Sequence, residues 1–214
     1  MIPNFADEEA VRPLERENTF SQQHHLDGRF VVLCAGNIGT LQGTEILVPM
    51  AKQLEAHPDI LILVVGDGTE RPRLEKAAAA ARLTNLRILP PQPNELLAAM
   101  LATADVAVVT ARAGTGRTSF PSRLYGLMAA GRPIVAALDA DSDAAALLRT
   151  AGCGLATPPG DAGALAEAVR SLRARPDVRQ AMGRAGREYL ETNLSKRGVV
   201  EQYAALFGGS AGTG

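Results

Sequence analysis

The stretch FVVLCAGNIGTLQGTEILVPMAKQLEAHPDILILVV, residues 30–65, carries the pattern that decides the fold. Two short apolar runs, 30–35 and 60–65, flank a segment, 43–56, in which apolar residues recur at helical spacing. Continuous apolar runs are typical of parallel strands that are buried on both faces of a sheet. The stretch therefore predicts a strand, a crossover helix and a second, parallel strand.

The same alternation continues outward from this unit to about residue 175. Further strands are predicted at 86–89, 106–109, 134–137 and 154–156. Further helices are predicted at 70–82, 94–102, 122–130, 143–150 and 161–174. Six strands, each followed by a helix, predict an α/β fold with a single Rossmann-like, doubly wound parallel sheet and helices on both of its faces.

The two flanks of this unit have a different composition. Residues 1–28 are polar and contain Pro3 and Pro13, so we predict a linker or hinge segment before the Rossmann-like domain at 29–175. Residues 176–214 are expected to form two C-terminal helices, 177–192 and 195–207, and a disordered, Gly-rich tail. The apolar residues of the last helix, which include Val200, Tyr203 and Phe207, pack either on this domain or on a domain outside the chain.

Composition limits the classes of function. The 22 basic residues nearly cancel the 23 acidic ones, and a net charge of -1 provides no global field to attract nucleic acid. No apolar run is long enough to cross a bilayer. The first residues lack the pattern of a secretory signal, which favours a cytoplasmic protein. Cys34 and Cys153 lie in apolar runs, so both are expected to be buried thiols in a reducing compartment.

A ligand site is expected where the strand order of such a sheet reverses. If the order is 3-2-1-4-5-6, the reversal lies between the first and fourth strands, which are followed by the loops 36–43 and 110–123. The first loop contains Gly36, Gly39 and Gly43, so its backbone can approach a ligand closely. Its spacing is not G-x-G-x-x-G, which disfavours a nicotinamide-dependent oxidoreductase. The glycines also fit a tight turn without a ligand.

The second loop adds a local positive charge. Residues 106–138 contain no Asp or Glu but four arginines, Arg112, Arg117, Arg123 and Arg132. Ser122 and Arg123 stand at the predicted start of a helix, where free amides and the helix dipole favour a phosphate. The pattern predicts an anion site at the reversal point, and its alternative is a set of solvated surface arginines with an ordinary serine cap.

Three aspartates, Asp139, Asp141 and Asp143, alternate after the fifth strand. Such spacing can hold a metal, but the glycine and the distal glutamate of a calcium loop are absent. We therefore expect these residues to act in turns and helix caps. Asp67, after the second strand, either contacts a ribose or stabilises the start of the next helix.

Several motifs, taken in order, are similar to those of a known family. They are residues 35–39 with 42–43, 65–68, 104–106, 119–125, 128–133 and 158–161. Together they resemble the C-terminal half of family 4 glycosyltransferases, in particular the bacterial branch that builds surface polysaccharides. The opening segment, residues 2–7, resembles the hinge between the two halves. The resemblance implies half of a GT-B fold that binds a nucleoside-diphosphate sugar, linked to UDP or GDP, and a missing N-terminal acceptor domain.

The same resemblance implies an activity and a site. It implies retaining transfer of a hexose or N-acetylhexosamine in polysaccharide or glycoconjugate biosynthesis, without a required metal or other cofactor. This half alone is expected to lack turnover, and the full enzyme is expected at the inner face of the membrane as a peripheral protein. The implied donor-binding residues are Gly36, Asn37, Gly39, Gln42, Gly66, Gly68, Pro90, Pro91, Ser119, Pro121, Ser122, Arg123 and Leu124.

The chain departs from the family's pattern at the E-x7-E signature, whose two glutamates correspond to Thr118 and Gly126 here. The second glutamate is the residue usually held to contact the ribose. No carboxylate remains in this loop, so no catalytic residue is assigned. Two hypotheses follow: an intact donor site that lacks one contact, or a degenerate module that no longer binds donor and serves as an interaction domain.

Overall fold

Six parallel strands form one sheet in the computed structural model, which describes residues 9–116 and 119–200 together with Ala204. The strands are β1 (Phe30–Ala35), β2 (Ile60–Val65), β3 (Leu86–Leu89), β4 (Val106–Thr110), β5 (Ile134–Ala137) and β6 (Gly154–Thr157). The predicted strand positions are confirmed. Only β4 and β6 differ from the prediction, since each extends one residue further, to Thr110 and Thr157.

The order of the strands is β3-β2-β1-β4-β5-β6, and every neighbouring pair is parallel. Val32 pairs with Val106 and Leu33 with Ala107, so β1 and β4 are the central neighbours. The chain winds outward from β1 in one direction through β2 and β3 and in the other through β4, β5 and β6. The expected doubly wound order and its reversal point between β1 and β4 are therefore confirmed.

Helices connect the strands and cover both faces of the sheet. They are α1 (Thr19–Gln23), α2 (Leu47–Leu54), α3 (Arg71–Ala80), α4 (Leu97–Ala102), α5 (Arg123–Ala129), α6 (Asp143–Ala151), α7 (Ala162–Ala174) and α8 (Pro176–Asn193). Short 3-10 turns precede α2 and α4, at Thr44–Ile46 and Asn94–Leu96. The hydroxyl of Ser142 and the carboxylate of Asp161 cap α6 and α7, as the residue types at these positions favour.

Two apolar cores lie on opposite faces of the sheet because alternate strand residues point to opposite sides. One core contains Leu33 and Val109 with side chains of α1, α4, α5 and α6. The other contains Val32 and Val108 with side chains of α2, α3 and α7. Helix α8 reaches both cores, since its start packs against the second and its Leu190 lies in the first.

The segment before β1 is more than a linker over its described part. Asn18 and Ser21 form a reciprocal capping box around α1, and Phe20 and Leu26 are fully buried in the first core. Arg16 pairs with Asp105, with Nε 3.1 Å from the carboxylate Oδ2. The segment is thus packed on the domain as part of its core. The predicted hinge at residues 2–7 lies outside the described residues.

The chain after α8 turns back onto the domain and is helical again at 196–200. Leu194 and Val199 are buried, but 52% of Val200 is exposed. The other predicted residues of this stripe, Tyr203 and Phe207, and the predicted disordered tail lie outside the described residues. Of the helices described, none is long and apolar enough to span a membrane.

Candidate functional site

A cleft of about 690 Å³ opens at the carboxyl ends of β1 and β4, where the strand order reverses. The loop after β1 forms one wall and the loop after β4 forms the opposite one. Residues that follow β2 and β3, among them Gly66 and Pro91, close the side of the cleft. The cleft therefore lies where ligands bind in doubly wound sheets.

The side chain of Gln42 braces the loop after β1. Its Oε1 accepts hydrogen bonds from the backbone amide of Gly39, at 3.1 Å, and from Nδ2 of Asn37, at 3.3 Å. Gly43 then takes a left-handed conformation with φ of 59°, and a Cβ there would lie 3.3 Å from the carbonyl carbon of Ala111. The neutral pair of Asn37 and Gln42 thus holds the shape of the loop as well as facing the cleft.

The glycines after β2 allow the loops after β1 and β2 to touch. A Cβ at Gly66 would overlap the carbonyl oxygen of Gly36, and one at Gly68 would overlap that of Ile38. Three backbone hydrogen bonds join the loops: the amide of Gly36 donates to Val65 at 2.9 Å, that of Ile38 to Asp67 at 2.8 Å, and that of Glu70 to Ile38 at 2.9 Å. These glycines are required for the packing of one loop against another.

Arg123 crosses the cleft from the start of α5 to the loop after β1. Its Nη2 donates to the carbonyl oxygen of Asn37 at 3.4 Å, and its Cζ lies 3.5 Å from the position that a Cβ on Gly36 would take. The same guanidinium lies beside the buried thiol of Cys34. Burial raises the pKa of that thiol, and the charge and hydrogen bond of Arg123 oppose the rise.

The other arginines of the positively charged segment lie elsewhere. Arg112 pairs with Glu45 at 2.7 Å and does not line the cleft. Arg132 donates to the carbonyl oxygens of Ala104 and Leu14, among others. It lines a separate hollow beside Asp105 and Pro133, which precede β4 and β5. The expectation that four charges converge on the reversal point is therefore wrong. Arg117 lies outside the described residues, and Arg123 is the cation among the described residues that line the cleft.

Asp139 holds the first part of the loop after β4. Its carboxylate accepts hydrogen bonds from the backbone amides of Gly114, at 3.0 Å, and Gly116, at 3.0 Å. Ser142 caps α6, as noted above, and its hydroxyl donates to the carbonyl of Asp139. Of the three aspartates expected in turns and caps, Asp139 thus holds a turn, whereas the residue that caps α6 is Ser142. The described residues contain no cluster that could hold a metal ion.

The start of α5 does not use its serine as a cap. Ser122 has helical backbone angles, and its hydroxyl makes no capping hydrogen bond. Ser119 and Ser122 are exposed along the polar wall of the cleft, close in sequence to Arg123. The alternative to an anion site is a set of solvated arginines with an ordinary serine cap. That serine cap is absent at this helix.

The lining of the cleft also includes an apolar wall. It consists of Pro91, Leu97, Met100, Leu101 and Leu127. Gly126 lies in this wall, and a Cβ there would meet only the Cδ1 of Leu101, at 3.8 Å. At the rim, the ring of Phe120 stacks on Tyr125 with centroids 5.2 Å apart. The cleft can therefore take a ligand with one anionic end and one flat or apolar end.

The predicted donor-binding residues divide into two groups. Those that line the cleft are Gly36, Asn37, Gln42, Gly66, Pro91, Ser119, Pro121, Ser122 and Arg123. Those that do not line it are Gly39, Gly68, Pro90 and Leu124. Leu124 is fully buried in the first core, because the residue after Arg123 points from α5 toward the sheet.

Sequence reasoning missed Thr110 and the leucines of the apolar wall. The predicted strand ended at Val109, so Thr110 was assigned to a loop although it is the last residue of β4. β4 is rich in valine and ends at the reversal point, so the threonine that follows its valines could have been recognised as a residue of the cleft.

Comparison with known proteins identifies the family to which this arrangement corresponds. The family model described as glycosyl transferases group 1 matches residues 15–189. The chain is 30% identical over 178 residues to the putative colanic acid biosynthesis glycosyl transferase WcaI of Escherichia coli, covering 83% of this chain and 42% of WcaI. It is 31% identical over 205 residues to the probable glycosyltransferase WbjE of Pseudomonas aeruginosa, covering 95% of this chain and 50% of WbjE.

Solved structures show the same fold. The Anabaena protein Alr3699/HepE, crystallised in complex with UDP, superposes with a TM-score of 0.85 at 19% identity. The match covers 97% of this chain and 57% of the Anabaena chain. The chain thus spans about half the length of the curated relatives WcaI and WbjE, at 42% and 50%.

Proposed function

The chain belongs to the group 1 glycosyl transferases, and on that premise we propose that its cleft binds a nucleoside-diphosphate sugar as the donor half of a retaining transferase. The reaction belongs to polysaccharide or glycoconjugate biosynthesis, as the name of WcaI, a putative colanic acid biosynthesis glycosyl transferase, suggests for that relative. In this donor the sugar is linked to uridine diphosphate or guanosine diphosphate. UDP in the structure of the Anabaena protein supports this choice of ligand.

The observation that carries the proposal is the placement of Arg123 across the reversal point. Its fork of N–H donors matches the oxygens of a diphosphate, and it stands between a glycine-rich loop and two exposed serines. The apolar wall of the cleft is suited to the flat face of a base. Donors held in this way stabilise the charge that develops on the leaving diphosphate when the sugar is transferred.

An acceptor half is expected from a further domain. The chain spans about half of its curated relatives. Leu41, Leu97 and Phe120, all at the cleft, are exposed to 53%, 37% and 37%. Apolar side chains around a binding cleft are typical of a surface that another domain or substrate covers. We expect the acceptor to enter from this side, and no turnover by the chain alone.

Isothermal titration calorimetry with UDP tests the proposal directly. We expect saturable binding at millimolar concentrations or below, and weaker binding of uridine, which lacks the diphosphate. Titration with NADH is the control for a general nucleotide site and is expected to give no saturable heat. Absence of binding heat with both UDP and GDP would refute the proposed function.

Replacement of Gly126 by glutamate separates an intact donor site from a decayed one. The open space at Gly126 admits a longer side chain into the cleft. If the site is intact, a carboxylate there accepts hydrogen bonds from ribose hydroxyls, and we expect Gly126→Glu to bind UDP about tenfold more tightly, the effect of about 1.4 kcal/mol.

Gly126→Gln is the matched control, because it has nearly the same size and no charge. It is expected to gain less affinity than Gly126→Glu.

The second candidate function, an interaction domain without donor binding, is favoured by the absence of a carboxylate in the apolar wall. It predicts no gain in UDP affinity with either substitution.

A further inference from the structure

A buried hydroxyl faces the cleft without a hydrogen-bond partner. Thr110 is only 2% exposed and lines the cleft at the end of β4. Among the residues described, its Oγ1 contacts no donor or acceptor at hydrogen-bonding distance. Leaving such a group unsatisfied costs about 1–3 kcal/mol, so a buried polar atom of this kind needs a physical explanation.

Two other buried threonines show how such a hydroxyl is satisfied elsewhere in this fold. Thr103 Oγ1 donates to the carbonyl of Ala99 at 2.9 Å, and Thr157 Oγ1, at the end of β6, donates to that of Ala136 at 3.5 Å. Thr110 ends its strand at the same edge of the sheet as Thr157 but has no such acceptor. Its hydroxyl is therefore available to a ligand in the cleft.

The position of Thr110 indicates which part of a ligand it meets. In the pairing of β1 with β4, Leu33 lies opposite Ala107. Three residues further along, β1 is followed by Gly36 and β4 ends at Thr110, so these two residues lie level with each other. Gly36 is the residue beside which the guanidinium of Arg123 lies. Thr110 therefore lies at the reversal point, level with Gly36 and close to the cation beside it.

From this placement we infer that Thr110 is a further binding residue, whose hydroxyl donates a hydrogen bond to an oxygen of the diphosphate. The inference rests on the proposed function. A hydroxyl can donate as well as accept, whereas ionised phosphate oxygens only accept, so the two groups are complementary. A hydrogen bond to a charged acceptor in a site screened from water is stronger than one between neutral groups.

The test compares UDP binding by Thr110→Val, Thr110→Ser and the unaltered chain in calorimetry. Valine has nearly the shape of threonine but no hydroxyl, and serine keeps the hydroxyl. We expect Thr110→Val to bind UDP about tenfold more weakly, as the loss of one charge-assisted hydrogen bond implies. We expect Thr110→Ser to remain within about threefold of the unaltered chain, which corresponds to less than about 0.7 kcal/mol.

Thr44→Val is the matched control. Thr44 is buried, its Oγ1 also has no partner within the described part of the chain, and it does not line the cleft. Both valine variants remove an unsatisfied hydroxyl, so neither should lose stability in urea unfolding. Thr44→Val should bind UDP as the unaltered chain does, which separates a ligand contact from a general effect of valine.

The outcomes are distinct. If the unaltered chain binds UDP and folded Thr110→Val binds it within about twofold, the inference is overturned and the proposed function stands. If Thr110→Val does not fold, Thr110→Ala takes its place, with the same loss expected and the same overturning result. If the unaltered chain binds neither UDP nor GDP, the proposed function fails and the inference fails with it.

Discussion

Replacement of Arg123 by alanine is expected to weaken UDP binding about 100-fold, a loss of roughly 2.7 kcal/mol. The guanidinium is the cation among the described residues that line the cleft, and it lies beside Gly36 and Asn37 at the reversal point. Its removal takes away charged donors to the phosphate oxygens and leaves those oxygens facing backbone amides and hydroxyls alone. Calorimetric titration with UDP measures the change.

Arg112→Ala is the matched control for this variant. It removes the same charge from the loop that precedes α5, but Arg112 pairs with Glu45 outside the cleft. We expect its UDP affinity to remain within about threefold, because a screened charge outside the cleft contributes little. Arg123→Lys keeps the positive charge but loses the forked pair of N–H donors, so its UDP affinity should lie between those of Arg123→Ala and Arg112→Ala. Equal affinities of folded Arg123→Ala and the unaltered chain would contradict the proposed role of Arg123.

Gly66→Ala is expected to lower the free energy of unfolding by about 3 kcal/mol or more, as substitutions that force backbone to move do. A Cβ at this position would overlap the carbonyl oxygen of Gly36, and neither atom belongs to a flexible side chain. The two loops would have to separate, at the expense of the hydrogen bond from Gly36 to Val65. Urea unfolding followed by circular dichroism measures the loss.

Gly126→Ala is the matched control: it is the same glycine-to-alanine substitution, but it is expected to raise the free energy of unfolding. The added Cβ meets only Leu101 at 3.8 Å, and Gly126 lies inside α5. Alanine stabilises a helix interior by about 1 kcal/mol relative to glycine. If Gly66→Ala were as stable as the unaltered chain, the close contact between the two loops could not be a requirement of the fold.

The sheet could be predicted from the sequence because its strands are buried on both faces. Each of the runs at 30–35 and 60–65 is continuous and apolar, and a run of this kind leaves few alternatives to a parallel strand. The helices between them follow from apolar spacing. The helix at Thr19–Gln23 was missed because it is only five residues long and polar except for one buried phenylalanine.

The candidate site could be placed from the sequence only to the level of its loops. Counting charges in residues 106–138 identified Arg123, but the count could not tell that Arg112 has Glu45 as a partner and that Arg132 lies near the opposite ends of the strands. Both facts depend on contacts between residues distant in the chain. Asp139 accepts hydrogen bonds from the backbone amides of Gly114 and Gly116. Every residue except proline has such an amide, so the amino-acid composition could not predict these contacts.

The contact of Arg123 with the loop after β1 has a consequence for the thermodynamics of binding. A free arginine side chain loses about 2 kcal/mol of rotamer entropy when it is immobilised. The guanidinium of Arg123 donates to the carbonyl oxygen of Asn37 and lies beside Gly36, so contacts within the protein itself provide part of that ordering during folding. If the cleft binds a diphosphate as proposed, association then requires less loss of conformational freedom from the protein, and the site is preorganised.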